Sequence, residues 1–238
     1  MLIPNSQSST NITHETIVVA RNLCKTVGES SSLIHILNDL NIEIRTGERV
    51  AIVGSSGSGK STLLGLLAGL DVPTSGEVSI FSQPFSDLDE DARAVIRGKT
   101  MGFVFQSFQL LPAMTALENV MIPMQLNGQA NSKEVALATL QKVGLEERLS
   151  HYPKQLSGGE QQRVAIARAF ASKPAVLFAD EPTGNLDIAT GEKIIELLFS
   201  LNAENNTTLV LVTHDMQLAS RCERILTLKQ GKLLEDAR

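Results

Sequence analysis

Two glycine-rich segments of this 238-residue chain have the composition of sites that hold phosphate. Residues 54–61 read GSSGSGKS and fit the pattern G-x-x-x-x-G-K-[ST], in which glycines let backbone N–H groups turn inward around an anion. Lys60 is expected to contact the terminal phosphates of a nucleotide, and the Ser61 hydroxyl is expected to bind Mg²⁺. The predicted phosphate-binding residues are Gly54, Ser55, Ser56, Gly57, Ser58, Gly59, Lys60, Ser61 and Thr62.

The second glycine-rich segment is LSGGEQ, at residues 156–161. The Ser157 hydroxyl and the N–H groups of Gly158 and Gly159 would form another anion cradle at the start of a helix that runs on from Glu160. A glycine pair before a helix is also an ordinary turn. The segment alone therefore leaves both interpretations open.

Two carboxylates follow an apolar run and could serve the chemistry of a bound nucleotide. Asp180 and Glu181 come directly after residues 176–179, VLFA, which have the pattern of a buried strand. Ligands of open α/β sheets bind at the carboxyl ends of strands. Asp180 could hold Mg²⁺ through its water shell, and Glu181 could accept a proton from a water molecule aligned on the γ-phosphate. The alternative is a merely solvated pair, which a phosphate loop in the same chain disfavours.

The sequence around the first segment supplies the elements that a phosphate loop needs. Residues 49–53, RVAIV, predict a strand before it, and residues 61–68, STLLGLLA, predict a helix after it. This order places phosphates at a helix N-terminus, where unpaired N–H groups and the helix dipole favour negative charge. It disfavours the alternative of a flexible turn rich in glycine and serine.

Along the rest of the chain, strand patterns alternate with helical patterns, which predicts a parallel sheet with crossover helices. The pattern is helical from about 107 to 173, with one segment capped by Ser132 and stopped by Gly144, and this favours a helical insertion. Residues 1–15 are expected to form a disordered lead-in. The other predicted strands are 16–20, 40–44, 77–81, 175–179 and 207–212, with a helix at 188–201 and a hairpin at 224–232.

Composition indicates one globular domain without a net positive charge that would attract nucleic acid. Hydrophobic residues make up 42% of the chain, and the formal net charge is −5. Cys24 and Cys222 have no metal-type spacing, which favours reduced thiols in a cytosolic protein. The amino terminus lacks the pattern of a signal peptide, and no apolar run approaches the roughly 18 residues that span a bilayer. We therefore expect a chain that does not cross a membrane by itself.

The second glycine-rich segment also points to a family. Residues 156–161, with the following QRVAIAR at 162–168, resemble the signature motif and helix of ATP-binding-cassette ATPases. The resemblance extends over about residues 16–234 and implies an α/β fold of the P-loop NTPase class. That fold has a RecA-like parallel-sheet core, an antiparallel β subdomain and an inserted α-helical subdomain. Here the insertion would cover about residues 107–173 of a single domain at 16–238.

The remaining family elements occur in the expected order. Gln106 resembles a glutamine that contacts Mg²⁺, residues 184–187, GNLD, resemble a loop that contacts the opposite subunit, and His214 resembles a histidine that senses the γ-phosphate. In the family two cassettes bind head to tail, so that each phosphate loop is completed by the signature motif of the other chain around ATP. The resemblance implies Glu181 and His214 as catalytic residues, Ser61, Gln106 and Asp180 at Mg²⁺, and Val27, Ser157, Gly158, Gly159, Glu160 and Asp187 among the ATP contacts.

Val27 departs from the family pattern, which usually has an aromatic residue stacked on adenine at this place. An apolar contact would lack the stacking energy, about 1 to 3 kcal/mol for a base on an aromatic ring. We therefore expect weaker discrimination between ATP and other nucleotides.

Within the family, segments such as residues 180–187, DEPTGNLD, look most like the ATPases of lipoprotein release and macrolide export. The resemblance implies an ATPase subunit that pairs with a separate permease at the cytoplasmic face of the bacterial inner membrane and helps to move lipid, lipoprotein or hydrophobic compounds. Nucleic acid is not an expected partner. The alternatives are a cassette that gates an envelope regulator without transport, a soluble cassette acting on nucleic acid or ribosomes, and a binding module without activity. Intact Lys60, Glu181 and His214 argue against the last of these.

Overall fold

The computed structural model describes residues 15–29 and 32–235, with eighteen elements in this range. The expected disordered lead-in at 1–15 lies outside the described residues except for Glu15. The strands are β1 Thr16–Val27, β2 Ile34–Arg45, β3 Arg49–Val53, β4 Ser75–Ile80, β5 Gln83–Pro84, β6 Met101–Phe105, β7 Val176–Asp180, β8 Thr208–Val212, β9 Arg224–Lys229 and β10 Lys232–Glu235. The helices are α1 Lys60–Leu67, α2 Glu90–Thr100, α3 Ala116–Leu126, α4 Ser132–Lys142, α5 Gly158–Ala171, α6 Ile188–Asn205 and α7 Met216–Ala219, with a 3₁₀ turn at Pro153–Gln155.

The central sheet has six strands in the order β10-β9-β3-β8-β7-β6. Five of them are parallel, and β10 closes the sheet as the antiparallel partner of β9. All residues of β8 are buried, as expected for a parallel strand that is covered on both faces. The expected parallel core with crossover helices is thereby confirmed.

The two faces of the central sheet pack against different layers. Val50 and Ile52 of β3 join one apolar cluster with α1 and the four-stranded antiparallel sheet β2-β1-β4-β5. Ala51 and Val53 point to the other face and join a second cluster with α3, α4, α5 and α6. This alternation follows from the two-residue period of a strand. The antiparallel sheet that the family resemblance implied is present.

The chain between β6 and β7 contains α3, α4, the 3₁₀ turn and α5, in this order, and no strand. Ser132, which we expected to cap α4, is its first residue, because Asn131 takes the cap position. Gly144 follows the end of this helix with φ +69°, a conformation that favours glycine. Across the described ranges, no helix has both the length and the apolar character needed to span a membrane.

Strand β6 was not predicted as a strand. It contains Gly102, a residue that ordinarily weakens a strand pattern. A Cβ atom at this position would lie 2.6 Å from the carbonyl oxygen of Ala169, so the glycine allows α5 to pack against the strand. This close approach is a tertiary requirement that local sequence does not reveal.

Candidate functional site

Three of the predicted functional residues, Gln106, Glu181 and His214, meet at one edge of the central sheet. Phe105 of β6 pairs with Asp180 of β7, and Asp180 pairs with Val212 of β8. Because these strands are parallel and in register, their carboxyl ends lie side by side. Gln106, Glu181 and the segment 213–214 follow the three strands directly, so the topology places their side chains at the same edge.

The glycine positions of the phosphate loop are required by close contacts. A Cβ atom on Gly54 would lie 2.5 Å from the carbonyl oxygen of Leu228. A Cβ atom on Gly59 would lie 2.8 Å from Cγ2 of Ile36, and this residue also has φ +98° at the start of α1. Side chains at these two positions would therefore displace the loop from its place between β3 and α1.

The Lys60 side chain is buried within the phosphate loop and hydrogen-bonds to the backbone of that loop. Its side chain is 8% exposed, and Nζ donates hydrogen bonds to the carbonyl oxygens of Gly54 at 2.9 Å and Ser55 at 3.1 Å. A cation held at the start of a helix by neutral acceptors is available for the oxygens of an incoming phosphate.

Asp180 is a half-buried carboxylate, and one of its oxygens is buried without a hydrogen-bond partner. Burial raises its pKa, the hydrogen bond from Ser61 opposes this, the charge of Glu181 raises it further, and the charge of Lys60 lowers it. Asp180 Oδ1 and the Ser58 hydroxyl oxygen have no hydrogen-bond partner among the described residues. Buried polar atoms without partners indicate a missing ligand or water. The oxygens of Ser61 and Asp180 and the glycine cradle therefore fit a nucleotide with Mg²⁺.

Glu181 is held in a strained conformation next to His214. Its φ is +45°, which costs a non-glycine residue roughly 1–3 kcal/mol, and its backbone N–H donates to the carbonyl oxygen of Val212 at 2.9 Å. Both carboxylate oxygens lie 2.9 Å from His214 Nδ1, and Thr213 Oγ1 lies 3.4 Å from Oε2. Because a carboxylate accepts, Nδ1 donates, and the Nε2 atom of this exposed ring is left for another group.

A cleft of about 740 Å³ opens above the phosphate loop. Two of its lining residues, Ile34 and Ile36, were missed by the sequence analysis. Ile34 lies opposite Val27 in the β1–β2 pair, so the predicted adenine contact is part of an aliphatic wall. The contacts that bring Ile34 and Ile36 to the cleft join distant segments, so local sequence carries no signal for them. The predicted residues that line the cleft are Val27, Ser56, Gly57, Gly59, Lys60, Ser61, Thr62, Gln106, Glu181 and His214.

The second glycine-rich segment lines a different cleft, of about 530 Å³. Three basic side chains, those of Lys142, Arg163 and Lys193, contribute to it. It shares no lining residue with the cleft of the phosphate loop. The structure therefore does not bring these predicted residues to Lys60 within one chain: Ser157, Gly158, Gly159, Glu160 and Asp187.

A reciprocal cap fixes the start of α5 in this second cleft. The Ser157 hydroxyl accepts from the Glu160 N–H at 3.3 Å and donates to Glu160 Oε2 at 2.8 Å. The hydrogen bond from the Ser157 N–H is the main cause that lowers the pKa of Glu160 to about 2, and Arg148 adds to the effect. With Glu160 used as a cap, the N–H groups of Gly158 and Gly159 remain for an anion.

Asp187 also serves as a helix cap. Its carboxylate accepts from the Thr190 N–H at 3.0 Å at the start of α6, and hydrogen bonds from Thr190 lower its pKa. Thr190 also packs on the second cradle, because a Cβ atom on Gly159 would lie 2.6 Å from its Cγ2. Contacts of Asp187 and Glu160 with ATP stay predictions.

The aliphatic wall suggests a substitution that should strengthen adenine binding. Val27 is 40% exposed and borders the open cleft, so we expect Val27→Tyr to place a ring there without disturbing the core. Stacking is worth about 1–3 kcal/mol, which corresponds to roughly 5- to 150-fold tighter ATP binding. Calorimetric titration with ATP and GTP would measure it, with Val27→Leu as the aliphatic control. Strong preference of the wild-type chain for ATP over GTP would contradict the expected weak discrimination.

Comparisons with known proteins agree with this geometry. A family model described as ABC transporter matches residues 37–184. The chain is 57% identical to the ABC transporter ATP-binding protein YbbA of Escherichia coli K12, over 94% of this chain and 99% of that protein. It is 50% identical to the lipoprotein-releasing system ATP-binding protein LolD of Xanthomonas axonopodis pv. citri, over 92% of this chain and 91% of that one. A solved dimer of the ATP-binding cassette MJ0796, in a post-hydrolysis state with ADP and Pi, superposes with a TM-score of 0.86 at 45% identity, covering 92% of this chain and 98% of that one.

Proposed function

The chain belongs to the ABC transporter family and is an ATP-binding ATPase cassette, and from this premise we propose that it is the ATPase subunit of a bacterial membrane complex that moves or extracts envelope cargo. The observation that carries the proposal is the presence of two anion cradles in separate clefts of one chain. Each chain then contributes the phosphate loop to one nucleotide site and the second cradle to another.

We assign the chemical roles within the first cleft from its contacts. Lys60 would exchange its two carbonyl partners for phosphate oxygens. Ser61 and Gln106 would provide oxygens for Mg²⁺, and Asp180 would hold the ion through its water shell. The bound ion supplies charge that stabilises the phosphoryl group during hydrolysis. Glu181 accepts the proton of the attacking water, and His214, oriented by the same carboxylate, presents Nε2 toward the cleft that binds the γ-phosphate.

Two copies of the chain would complete both sites by pairing head to tail. The second cradle cannot serve the first cleft of its own chain, since the two clefts have separate linings. The related cassette MJ0796 has been solved as a dimer, including a state with ADP and Pi. ATP between two copies would close the dimer, and hydrolysis would release it. The difference in dimer affinity between these states can do work on an attached protein.

The attached protein in this proposal is a separate integral membrane permease. Support comes from the relatives, which are named as ATP-binding proteins of an ABC transporter and of a lipoprotein-releasing system. This chain would then bind at the cytoplasmic face of the bacterial inner membrane, with lipid, lipoprotein or a hydrophobic compound as cargo. A net charge of −5 does not favour nucleic acid as a partner.

Capture of the tagged chain from detergent-solubilised membranes tests this function. We expect a membrane permease to co-purify and to change the ATPase rate of the cassette, because the dimer cycle is coupled to it. We place the surface that binds the permease near residues 106–119, where Leu111 is 41% exposed. Leu111→Arg should lose the permease, whereas Leu234→Arg, on an exposed leucine of β10 at the opposite edge of the sheet, should retain it.

Two outcomes would contradict the proposal. Recovery of ribosomes or nucleic acid in place of a membrane protein would favour a soluble role. A permease complex in which no transported or extracted substrate can be detected would favour an envelope regulator gated by ATP.

A further inference from the structure

Gln106 is the predicted metal ligand that lies outside the helices and strands, whereas Ser61 belongs to α1 and Asp180 to β7. It follows the last residue of β6 and is exposed at the rim of the first cleft, among residues that include Lys60 and Ser61. A glutamine amide has one acceptor oxygen and one donor nitrogen of nearly the same shape. Only the oxygen can ligate a hard cation such as Mg²⁺. The function of Gln106 therefore depends on which end of its amide faces the cleft.

Asn185, on the loop between β7 and α6, makes two hydrogen bonds to this one residue. Its Nδ2 donates to the backbone carbonyl oxygen of Gln106 at 2.9 Å. Its Oδ1 accepts from Gln106 Nε2 at 3.1 Å. Asn185 belongs to the segment GNLD, which the family resemblance implies to contact the opposite subunit, and it is not among the predicted site residues.

These two bonds determine the orientation of both amides. A backbone carbonyl can only accept, so the Nδ2 end of Asn185 must face Gln106 O. Asn185 Oδ1 is then the end that faces the Gln106 side chain, and an acceptor there requires Nε2 of Gln106 as its donor. Oε1 is consequently the end of the Gln106 amide that points away from Asn185. Of the three groups joined by these hydrogen bonds, the backbone carbonyl of Gln106 has a fixed role as acceptor. It therefore determines which ends of the Asn185 and Gln106 amides donate and accept.

The backbone beside Asn185 holds the Gln106 side chain in place. A Cβ atom on Gly184 would lie 2.7 Å from Gln106 Nε2 and 2.9 Å from Cδ, so the side chain lies directly on this glycine. The Gly184 N–H donates to the carbonyl oxygen of Glu181 at 3.0 Å. The turn that carries Asn185 is therefore tied to the residue proposed as the base.

We propose that Asn185 is a positioning residue that presents Oε1 of Gln106 to the metal of the bound nucleotide. The proposal rests on the proposed function, since it assumes a nucleotide with Mg²⁺ in the first cleft. In this role Asn185 acts on the first cleft through Gln106 and contacts neither the metal nor the nucleotide there. Its own place is in the lining of the second cleft. Its removal leaves the Gln106 amide free to present either end, which weakens the metal site.

Metal binding can be measured without turnover. Mn²⁺ replaces Mg²⁺ in the presence of a non-hydrolysable ATP analogue, and the electron paramagnetic resonance signal of the free ion gives the metal affinity. We expect Asn185→Leu, which keeps the bulk and removes both hydrogen bonds, to weaken Mn²⁺ binding about tenfold, as is typical when a partner of a metal ligand is lost. Asn131→Leu is the control, because Asn131 is exposed and makes no side-chain cap bond on α4.

A double-mutant cycle separates positioning from general damage to the loop. Gln106→Ala should also weaken Mn²⁺ binding, and adding Asn185→Leu to it should weaken binding no further, because Asn185 acts through Gln106. Affinity for the analogue in EDTA should stay unchanged in Asn185→Leu. Wild-type Mn²⁺ affinity in Asn185→Leu, additive losses in the double variant, or weaker binding of the analogue in EDTA would each overturn the proposal. A wild-type chain without analogue-dependent Mn²⁺ binding would instead refute the proposed function.

Discussion

Replacement of Glu181 by glutamine is expected to abolish ATP turnover while ATP binding persists. Glutamine keeps the shape of the side chain and can still interact with His214, but its amide cannot accept the proton of an attacking water. Loss of a general base typically lowers the rate about 10²- to 10⁴-fold. Because the closed dimer opens on hydrolysis, Glu181→Gln should also accumulate as an ATP-bound dimer. Phosphate release and the elution volume with ATP would measure the two effects.

Glu134→Gln provides the matched control for this prediction. Glu134 is exposed in the first turn of α4, outside both clefts, and the same chemical change there should leave turnover at the wild-type rate. Unchanged hydrolysis in Glu181→Gln would reject Glu181 as the base. Loss of ATP binding in this variant would also contradict the assignment, because the carboxylate would then act in nucleotide binding and not only in hydrolysis.

Local sequence was sufficient to predict the phosphate loop and the carboxylates of Asp180 and Glu181, which come at the ends of buried strands. The apolar runs before Gly54 and before Asp180 predict strands, and parallel strands bring their carboxyl ends to one edge by topology alone. The glycine pattern predicts the loop because residues without a Cβ atom let successive backbone N–H groups turn inward around an anion. These features have local causes, so they can be predicted from the sequence before the fold is known.

Other parts of the site depend on contacts between distant segments. Ile34 becomes part of the cleft through its pairing with Val27 of β1, and Ile36 through its packing on Gly59. Asn185 acquires its two bonds to Gln106 only because β6 and β7 are neighbours. Glu160 and Asp187 have their carboxylates occupied by helix caps, a role that composition did not distinguish from contact with ATP. Each of these assignments required the three-dimensional structure.

A mixture of two inactive variants, Lys60→Ala and Gly158→Asp, is expected to regain ATPase activity. Loss of the charge-assisted bonds of Lys60, worth about 1.5–3 kcal/mol, should weaken ATP binding roughly 10- to 150-fold. An aspartate at Gly158 would repel phosphate from the second cradle. Its Cβ atom would lie 3.4 Å from Leu186 Cδ2, and a carboxylate at a helix N-terminus is stabilising, so we expect α5 to keep its fold. In a mixed head-to-tail dimer, one site contains both changes and the other contains neither, which should raise activity several-fold above each variant alone.

A second mixture tests whether recovery depends on this geometry. Lys60 and Glu181 line the same cleft, so a mixed dimer of Lys60→Ala and Glu181→Gln has one change in each site and should stay inactive. Gly158→Asn, which has the same shape without the charge, should impair ATP hydrolysis less than Gly158→Asp. Phosphate release by the two mixtures at equal total concentration gives the comparison. Recovery of activity in both mixtures would indicate that it does not depend on which residues share a site in the head-to-tail dimer. Recovery in neither mixture would indicate that the two glycine-rich segments do not complete each other across a dimer.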